Sequence, residues 1–273
     1  MSELIKNFPL IFEEGPIARS YLQLFRSMGM RNIKILYLLN NKFFIKKFSY
    51  FIQFKKNLHY PLKFIKDKKI INLILQFQEF FNFERNFLFD MYNERNIYEN
   101  NKFIFINSDN INSNIFVDTL KNLKENIFIN SSKQIFKNFT HGKNIIHIHP
   151  GYLPKVRGAD GSLVSILKYD ELGITSFFIS RSIDKGQIIK REINIFKPFK
   201  FDISDYSVED IYRIWYSFFD PLLRCFHLKK LILEKTNIIP KNNSCEFSDE
   251  DSNYYTFLST SNYKNVFKKI FYK

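Results

Sequence analysis

Cysteine is almost missing from this chain. Cys225 and Cys245 are the two in 273 residues, and their spacing matches no metal or redox motif. A disulfide scaffold is therefore excluded, and a reducing, cytoplasmic setting is expected. Glycine is also scarce, with eight residues, and nowhere forms G-x-G-x-x-G. That removes the dinucleotide fingerprint and leaves Gly15 and Pro16 as a simple turn. No stretch approaches the roughly 18 consecutive apolar residues of a membrane span. The start of the chain carries Glu3 and Lys6 and lacks a secretory apolar segment. No internal repeat is found. A dense basic tract is absent too, although the net charge is +14. The lysines are spread out, and they rise together with Asn, Ile, Phe and Tyr, as AT-rich coding DNA would produce. A solvated basic surface is thus favoured over a nucleic-acid patch.

The residues present are apolar and aromatic: 45% hydrophobic, with 33 Phe and 15 Tyr. Such a chain buries a full core and is not disordered. Pro9 to Phe12 and Ile33 to Leu39 read as strands flanking a helix with Ile17, Ala18, Tyr21, Leu22, Leu24 and Phe25 on one face. Residues 41–100 lack glycine and show helical periodicity, with Phe43, Phe44, Phe48, Phe51 and Ile52 on one face. Ile70, Ile71, Leu73, Ile74 and Phe77 make another. This reads as a helical insertion whose aromatic stripes pack. Strands are expected at Lys102 to Ile106 and Asn126 to Ile129, with a helix from Ile115 to Leu123 between them. Asn130, Ser131 and Ser132 are expected to cap a short helix running through Phe136. Further on come a helix at Ser162 to Tyr169, strands at Gly173 to Ser180 and Gln187 to Ile195, and a helix capped by Ser207 with Asp210, interrupted or restarted at Asp220-Pro221. Strands alternating with helices imply an α/β fold with a mainly parallel, doubly wound, Rossmann-like sheet.

Asn144 to Gly161 organises this pattern. Ile145, Ile146 and Ile148 favour a strand, and Pro150 ends it. His147 and His149 are two apart, so both point to one face. An imidazole on an apolar strand is ordinarily a satisfied core residue. Two on one face, running into a loop shaped by Gly151, Pro154 and Gly158, suit the carboxyl edge where an open α/β sheet places its chemistry.

The stretch Ile146-His147-Ile148-His149-Pro150-Gly151-Tyr152-Leu153-Pro154, with Arg157-Gly158-Ala159-Asp160 after it, resembles the signature loop of the folate-dependent formyltransferases. Ile183-Asp184-Lys185-Gly186 resembles that family's later Asp-x-Gly turn. The resemblance covers roughly residues 127–195. It implies a formyltransferase-type sheet and 10-formyltetrahydrofolate as formyl donor. His149 is then the acid or electrophile, and Asp184 its orienting partner and base. The family carries Asn where this chain has His147, so His147 becomes a substitute oxyanion donor. Ser132, Gln134, Ile135, Phe136, Arg181 and Asp184 would hold the folate, and Tyr152, Arg157 and Asp160 would face the acceptor.

The expected organisation is a catalytic domain over residues 1–205, with the insertion at about 41–100. Residues 206–273 supply a C-terminal helix and a short tail packed on it. Methionyl-tRNA formyltransferases add a β-barrel for which nothing here has the length. The acceptor implied is a small primary amine, expected to be a nucleotide-linked amino sugar, and nucleic acid is not expected. A methionyl-tRNA formyltransferase-like acceptor and hydrolysis of formyltetrahydrofolate remain alternatives within the family. Two readings come from other classes. One is a non-catalytic folate-binding relative. The other is a two-histidine, one-carboxylate metal site at His147, His149 and Asp184, although no metal is expected. A homodimer is left open.

Overall fold

The computed structural model describes residues 8–39, 56–93, 101–137, 142–234, 238, 240 and 252–273. The expected face made by Phe43, Phe44, Phe48, Phe51 and Ile52 lies outside the described residues, as do Cys245, Glu3 and Lys6.

The chain folds as an α/β protein around a seven-stranded sheet. In chain order the elements begin with β1 (Leu10–Phe12), α1 (Pro16–Ser27) and β2 (Lys34–Leu38). Then come α2 (His59–Phe64), α3 (Lys68–Phe80), α4 (Phe87–Met91), β3 (Lys102–Ile106), α5 (Asn114–Asn122), β4 (Ile127–Asn130) and β5 (Asn144–His149). The sheet order is β3-β2-β1-β4-β5, continued by β7 (Glu171–Phe178) and β8 (Ile188–Ile195). The first five strands are mutually parallel, and β5–β7 and β7–β8 are antiparallel. The order reverses between β1 and β4, and such a switch point opens a crevice beyond the carboxyl ends of the strands. The expected mainly parallel, doubly wound sheet is what forms.

Alternation along the strands feeds two cores. Leu10, Phe12, Ile35, Tyr37, Ile129, Ile146 and Ile148 enter one, with α1, α3 and the C-terminal helices. Ile11, Leu36, Leu38, Phe128 and Ile145 enter the other, with Phe116 and Leu120 of α5. Both faces are covered, so the central strands read as nearly continuous apolar runs. His147 and His149 follow Ile145 on its face.

Ser113 caps α5 by accepting from the Phe116 amide. The insertion's described helices bury Ile70, Leu73, Ile74 and Phe77, with Phe77 edge-on to Trp215 and Phe219. Ile71 is only half-buried.

After β5 come the two-residue strand β6 (Arg157–Gly158) and α6 (Gly161–Tyr169). Past β8, the short β9 (Phe199–Lys200) leads to α7 (Val208–Ile214), capped by Ser207 as expected. A π-turn over Trp215–Phe219 joins it to α8 (Asp220–Leu233), where Pro221 occupies the first turn and needs no amide partner. The tail forms β10 (Tyr254–Tyr255), α9 (Thr260–Ile270) and β11 (Phe271–Tyr272). β10 pairs with β6 and β11 with β9, and Val266, Phe267 and Ile270 are buried.

One expected element is corrected. Ser131 to Phe136 is not a short helix but an irregular loop. Asn130 forms a local turn in which its Oδ1 accepts from the Ser132 amide and its Nδ2 donates to the Ser132 carbonyl. Glu13, just past β1, draws the loop outward by accepting from Ser132 Oγ, the Lys133 amide and Gln134 Nε2. Side chains that bond nearby backbone compete with helix, and here a distant carboxylate sides with them.

Candidate active site

A cavity of about 390 Å³ opens at the carboxyl edge of β4 and β5. Its walls are the Asn130–Phe136 loop, His147 and His149, the Gly158–Gly161 turn, the Ile179–Asp184 segment, and Tyr212, Tyr216 and Arg224 of the C-terminal helices.

His149 ends β5, with Thr175 of β7 as its pair. Thr175 Oγ1 donates to the Gly151 carbonyl and accepts from the Leu153 amide, which fixes the loop immediately after the imidazole. The Leu153–Pro154 peptide in that loop is cis. His149 Nε2 lies 2.9 Å from the Val156 carbonyl. A carbonyl only accepts, so this nitrogen carries hydrogen. A Cβ on Gly151 would come within 2.7 Å of both partners, so glycine is what lets ring and carbonyl meet. His149 Nδ1 faces Asp184 Oδ2 at 3.8 Å, and both side chains are largely buried. Each ring nitrogen therefore faces an acceptor.

Asp184 reaches this position from a backbone at φ 54°, the left-handed region that costs most residues about 1–2 kcal/mol and that Asp tolerates better than most. The Gly158 amide, on the far side of the loop, donates to its Oδ2 at 2.8 Å. Asp160 and Asp170 share this conformation, so what singles Asp184 out is its carboxylate, anchored at the cavity wall and facing His149.

His147 lies deeper along β5, half-buried and edge-on to Phe177. Asn130 Nδ2 is 3.1 Å from its Nδ1. The Asn130 amide cannot be turned over, because its Oδ1 already accepts from the Ser132 amide. Nδ2 is thus the donor, Nδ1 the acceptor, and the ring hydrogen sits on Nε2. Burial, helped by the Arg224 charge, pushes the His147 pKa down to about 3 against the pull of Asp184. His147 is a neutral imidazole in the neutral pH range.

Of the residues expected to hold folate, Ser132, Gln134, Ile135, Phe136, Arg181 and Asp184 all line the cavity. The acceptor-side expectations fare differently. Tyr152 does not line it; the Tyr152 ring packs under the Arg191 guanidinium at 4.9 Å, against the β7–β8 side. Arg157 is engaged in bracing, with Nη2 donating to the Ile183 carbonyl and Nη1 to Ser252 Oγ. Asp160 lines the cavity, but its carboxylate is filled. Oδ1 accepts from the Tyr212 and Tyr216 hydroxyls, and Oδ2 accepts from the Tyr263 hydroxyl and the Leu258 amide. Arg157 and Asp160 thus join the loop to the rest of the chain. Among the described residues no group of three His, Cys, Asp or Glu side chains is arranged to hold a metal ion.

Three residues at or behind this wall carry no obvious local mark in the sequence. Asn130 orients His147, and Glu13 holds the Ser132–Gln134 loop. Arg224, buried on α8, donates from Nη1 to the carbonyl of Ile148, the residue between the two histidines in sequence, and from Nε to Asp220 Oδ2 at 2.7 Å. A charged pair four residues apart within the apolar run Leu222, Leu223, Cys225, Phe226 was the available signal.

The fold and cavity define an α/β protein with a paired imidazole–carboxylate site at the carboxyl edge of its sheet. No protein-family model matches the chain, and no curated protein matches it significantly. Among solved structures it is similar to a 4-N formyltransferase from Francisella tularensis, at 15% identity over 96% of this chain and 86% of that one, with TM-score 0.46. It is also similar to WlaRD, a sugar 3N-formyl transferase solved in the presence of dTDP and 5-N-formyl-THF, at 17% identity over 92% and 70%, with TM-score 0.43. Methionyl-tRNA formyltransferase from Clostridium thermocellum is similar at 10% identity over 71% and 70%, with TM-score 0.37. Likeness at this level assigns no role to any residue; the roles rest on the geometry above.

Proposed function

We propose that this chain transfers a formyl group from 10-formyltetrahydrofolate to a primary amine. The observation that carries the reading is the meeting of His149 and Asp184, remote in sequence, at 3.8 Å on the wall of a cavity that His147 enters as an oriented donor. Attack of an amine nitrogen on the formyl carbon forms a C–N bond and puts negative charge on the formyl oxygen. That charge needs a donor fixed beforehand, and neutral His147, with hydrogen on Nε2, supplies it. The step needs His149 to enter it doubly protonated, its charge facing the Asp184 carboxylate; as the bond from carbon to folate N10 breaks, N10 takes the Nδ1 proton while the Nε2 hydrogen stays on the Val156 carbonyl. Asp184 orients that ring, accepts the proton the amine loses, and returns it to Nδ1, so the site ends as it began.

The cavity is within the ~300–1,000 Å³ range of small-molecule sites, and the Ser132–Phe136 loop and Arg181 offer the donor's surroundings. A nucleotide-linked amino sugar is the acceptor we favour, because the Tyr212 and Tyr216 rings, with Tyr254 and Phe257 of the tail, line the cavity as flat faces for a sugar or a base. Cytoplasmic residence follows from the folate donor and the scarcity of cysteine. Incubating the protein with 10-formyltetrahydrofolate and a panel of amino sugars, sugar nucleotides, aminoacyl-tRNA and water tests the reading. Deformylated folate should appear only with an amine present. Release of formate at the same rate without any amine would replace transfer by hydrolysis.

A further inference from the structure

We propose that Arg224 is a positioning residue of this site, pinning the end of β5 through the Ile148 carbonyl and setting a fixed positive charge beside His147 so that the ring meets the cavity as a neutral Nε2–H donor. The inference deepens the formyl-transfer reading and rests on it for its purpose, though not for its geometry.

Arg224 is 7% exposed and lines the cavity. Its guanidinium bridges two elements: Nη1 donates to Ile148 O on β5, and Nε to Asp220 Oδ2 one turn earlier on α8. A buried charge is tolerated when paired and hydrogen-bonded. Asp220 is fully buried, and among the described residues its Oδ1 has no hydrogen-bond partner. The chain thus retains a costly ion pair, incompletely satisfied, where an apolar pair would pack. Removing one partner of such a pair usually costs more than the pair contributes, so its presence alone shows no function. Its placement is more telling: on β5 it grips the carbonyl of Ile148, the residue between the two histidines in sequence.

The groups facing His147 give the charge a direction. Asn130, from β4, donates to Nδ1, and Phe177, from β7, presents a ring edge. The charged or titratable neighbours are Arg224 from α8, Asp184 from the turn after β7, and His149 on its own strand. Asp184 favours a proton on His147, whereas Arg224 and His149 oppose it. A doubly protonated His147 would have to turn a hydrogen toward the Asn130 amide hydrogens. Arg224 counters that state, against the influence of the carboxylate. An oxyanion donor of this kind does for the chain what a neutral amide would do: it offers a fixed N–H and carries no net charge.

The test is the protonation of His147 in the full chain without ligand, followed by 1H–15N spectra of histidine rings over pH. Arg224→Gln removes the charge and Arg224→Lys keeps it, and thermal melts establish that each variant is folded. The Gln variant should raise the His147 midpoint by one pH unit or more, and the Lys variant should leave it near that of the native chain. Equal midpoints in the native and Gln proteins, or equal shifts in Gln and Lys, would overturn the proposal. Should the Gln variant not fold, Asp220→Asn strips the counter-charge and should lower the midpoint; a rise would count against us. Transfer assays run alongside separate the two claims. A shift of His147 as stated, with no amine ever formylated, would leave Arg224 its role and remove the reaction.

Discussion

The Asn130 amide donates to His147 Nδ1 across 3.1 Å, and that bond places the ring's hydrogen on Nε2. The orientation is forced by the Ser132 amide on the other end of the same side chain. A loop turn thereby determines the tautomer of a residue on the neighbouring strand.

If His147 acts as an uncharged donor, His147→Asn should keep transfer within about tenfold of the native rate. His147→Ala should lower kcat by about 10²–10³, the usual cost of losing one oxyanion donor. Steady-state kinetics on the two variants decides this. Equal loss in both would assign the imidazole a different role.

Asp184 combines a left-handed backbone with an anchored carboxylate, so the substitution must keep the first while changing the second. Asn tolerates that conformation. Asp184→Asn should therefore fold with a near-native melting temperature and lose transfer, as should His149→Ala. A bulky β-branched residue at 184 should lower stability by about 1–3 kcal/mol.

Asp160 distinguishes a brace from a substrate contact. Its carboxylate accepts from three tyrosyl hydroxyls and one amide. Each buried donor left without a partner costs about 1–3 kcal/mol, so Asp160→Ala should lower stability by a few kcal/mol and loosen the tail. Chemical denaturation reads the first, and proteolysis near Tyr254 the second. A raised KM for the acceptor with unchanged stability would instead return Asp160 to the acceptor side.

Acid stability carries a signature of His147. Its folded pKa, about 3, lies below the ordinary imidazole value of 6.5. Between those values the unfolded chain binds the proton and the folded chain does not. Stability is thus intact above pH 6.5 and falls with decreasing pH, by up to ~1.4 kcal/mol per pH unit from this group. Below 4.5 Glu192 adds to the loss, because its bond to His227 holds its folded pKa down to about 2. His227, whose folded pKa is also lowered by burial, contributes to the same limb. His147→Asn should therefore shrink the first limb without abolishing it and leave the second, as urea titrations from pH 7 to pH 4 would show.

Much of this architecture is legible in the chain. β5 declares itself by three isoleucines and a proline stop, and its two histidines by their spacing of two. The Ser207 cap is local chemistry and is found where expected, whereas at Asp220-Pro221 the helix does not break: it runs on from Val208 to Leu233, and the irregularity is the π-helical stretch Trp215–Phe219 just before. What is not legible depends on contacts distant in sequence. Ser131 to Phe136 looks like a capped helix until Glu13 is known to grip it from across the switch point. Arg224 looks like half of an ordinary helix-surface pair until the Ile148 carbonyl is placed beside it. Tyr152, Arg157 and Asp160 lie next to the histidine strand in sequence, yet the loop turns Tyr152 away and engages the other two with the turn at Ile183 and the tail. Proximity along the chain identified the loop but not the direction of its side chains.

The most direct measurement of the central claim is single-turnover formyl transfer in native, His149→Ala and Asp184→Asn proteins, with 10-formyltetrahydrofolate and the best amine of the panel, read by folate absorbance and by mass of the amine product. The native chain should yield an amine heavier by one formyl group, and each folded variant should transfer at least a hundredfold more slowly. Native-like transfer in either variant, or no product from the native chain with any amine, would contradict it.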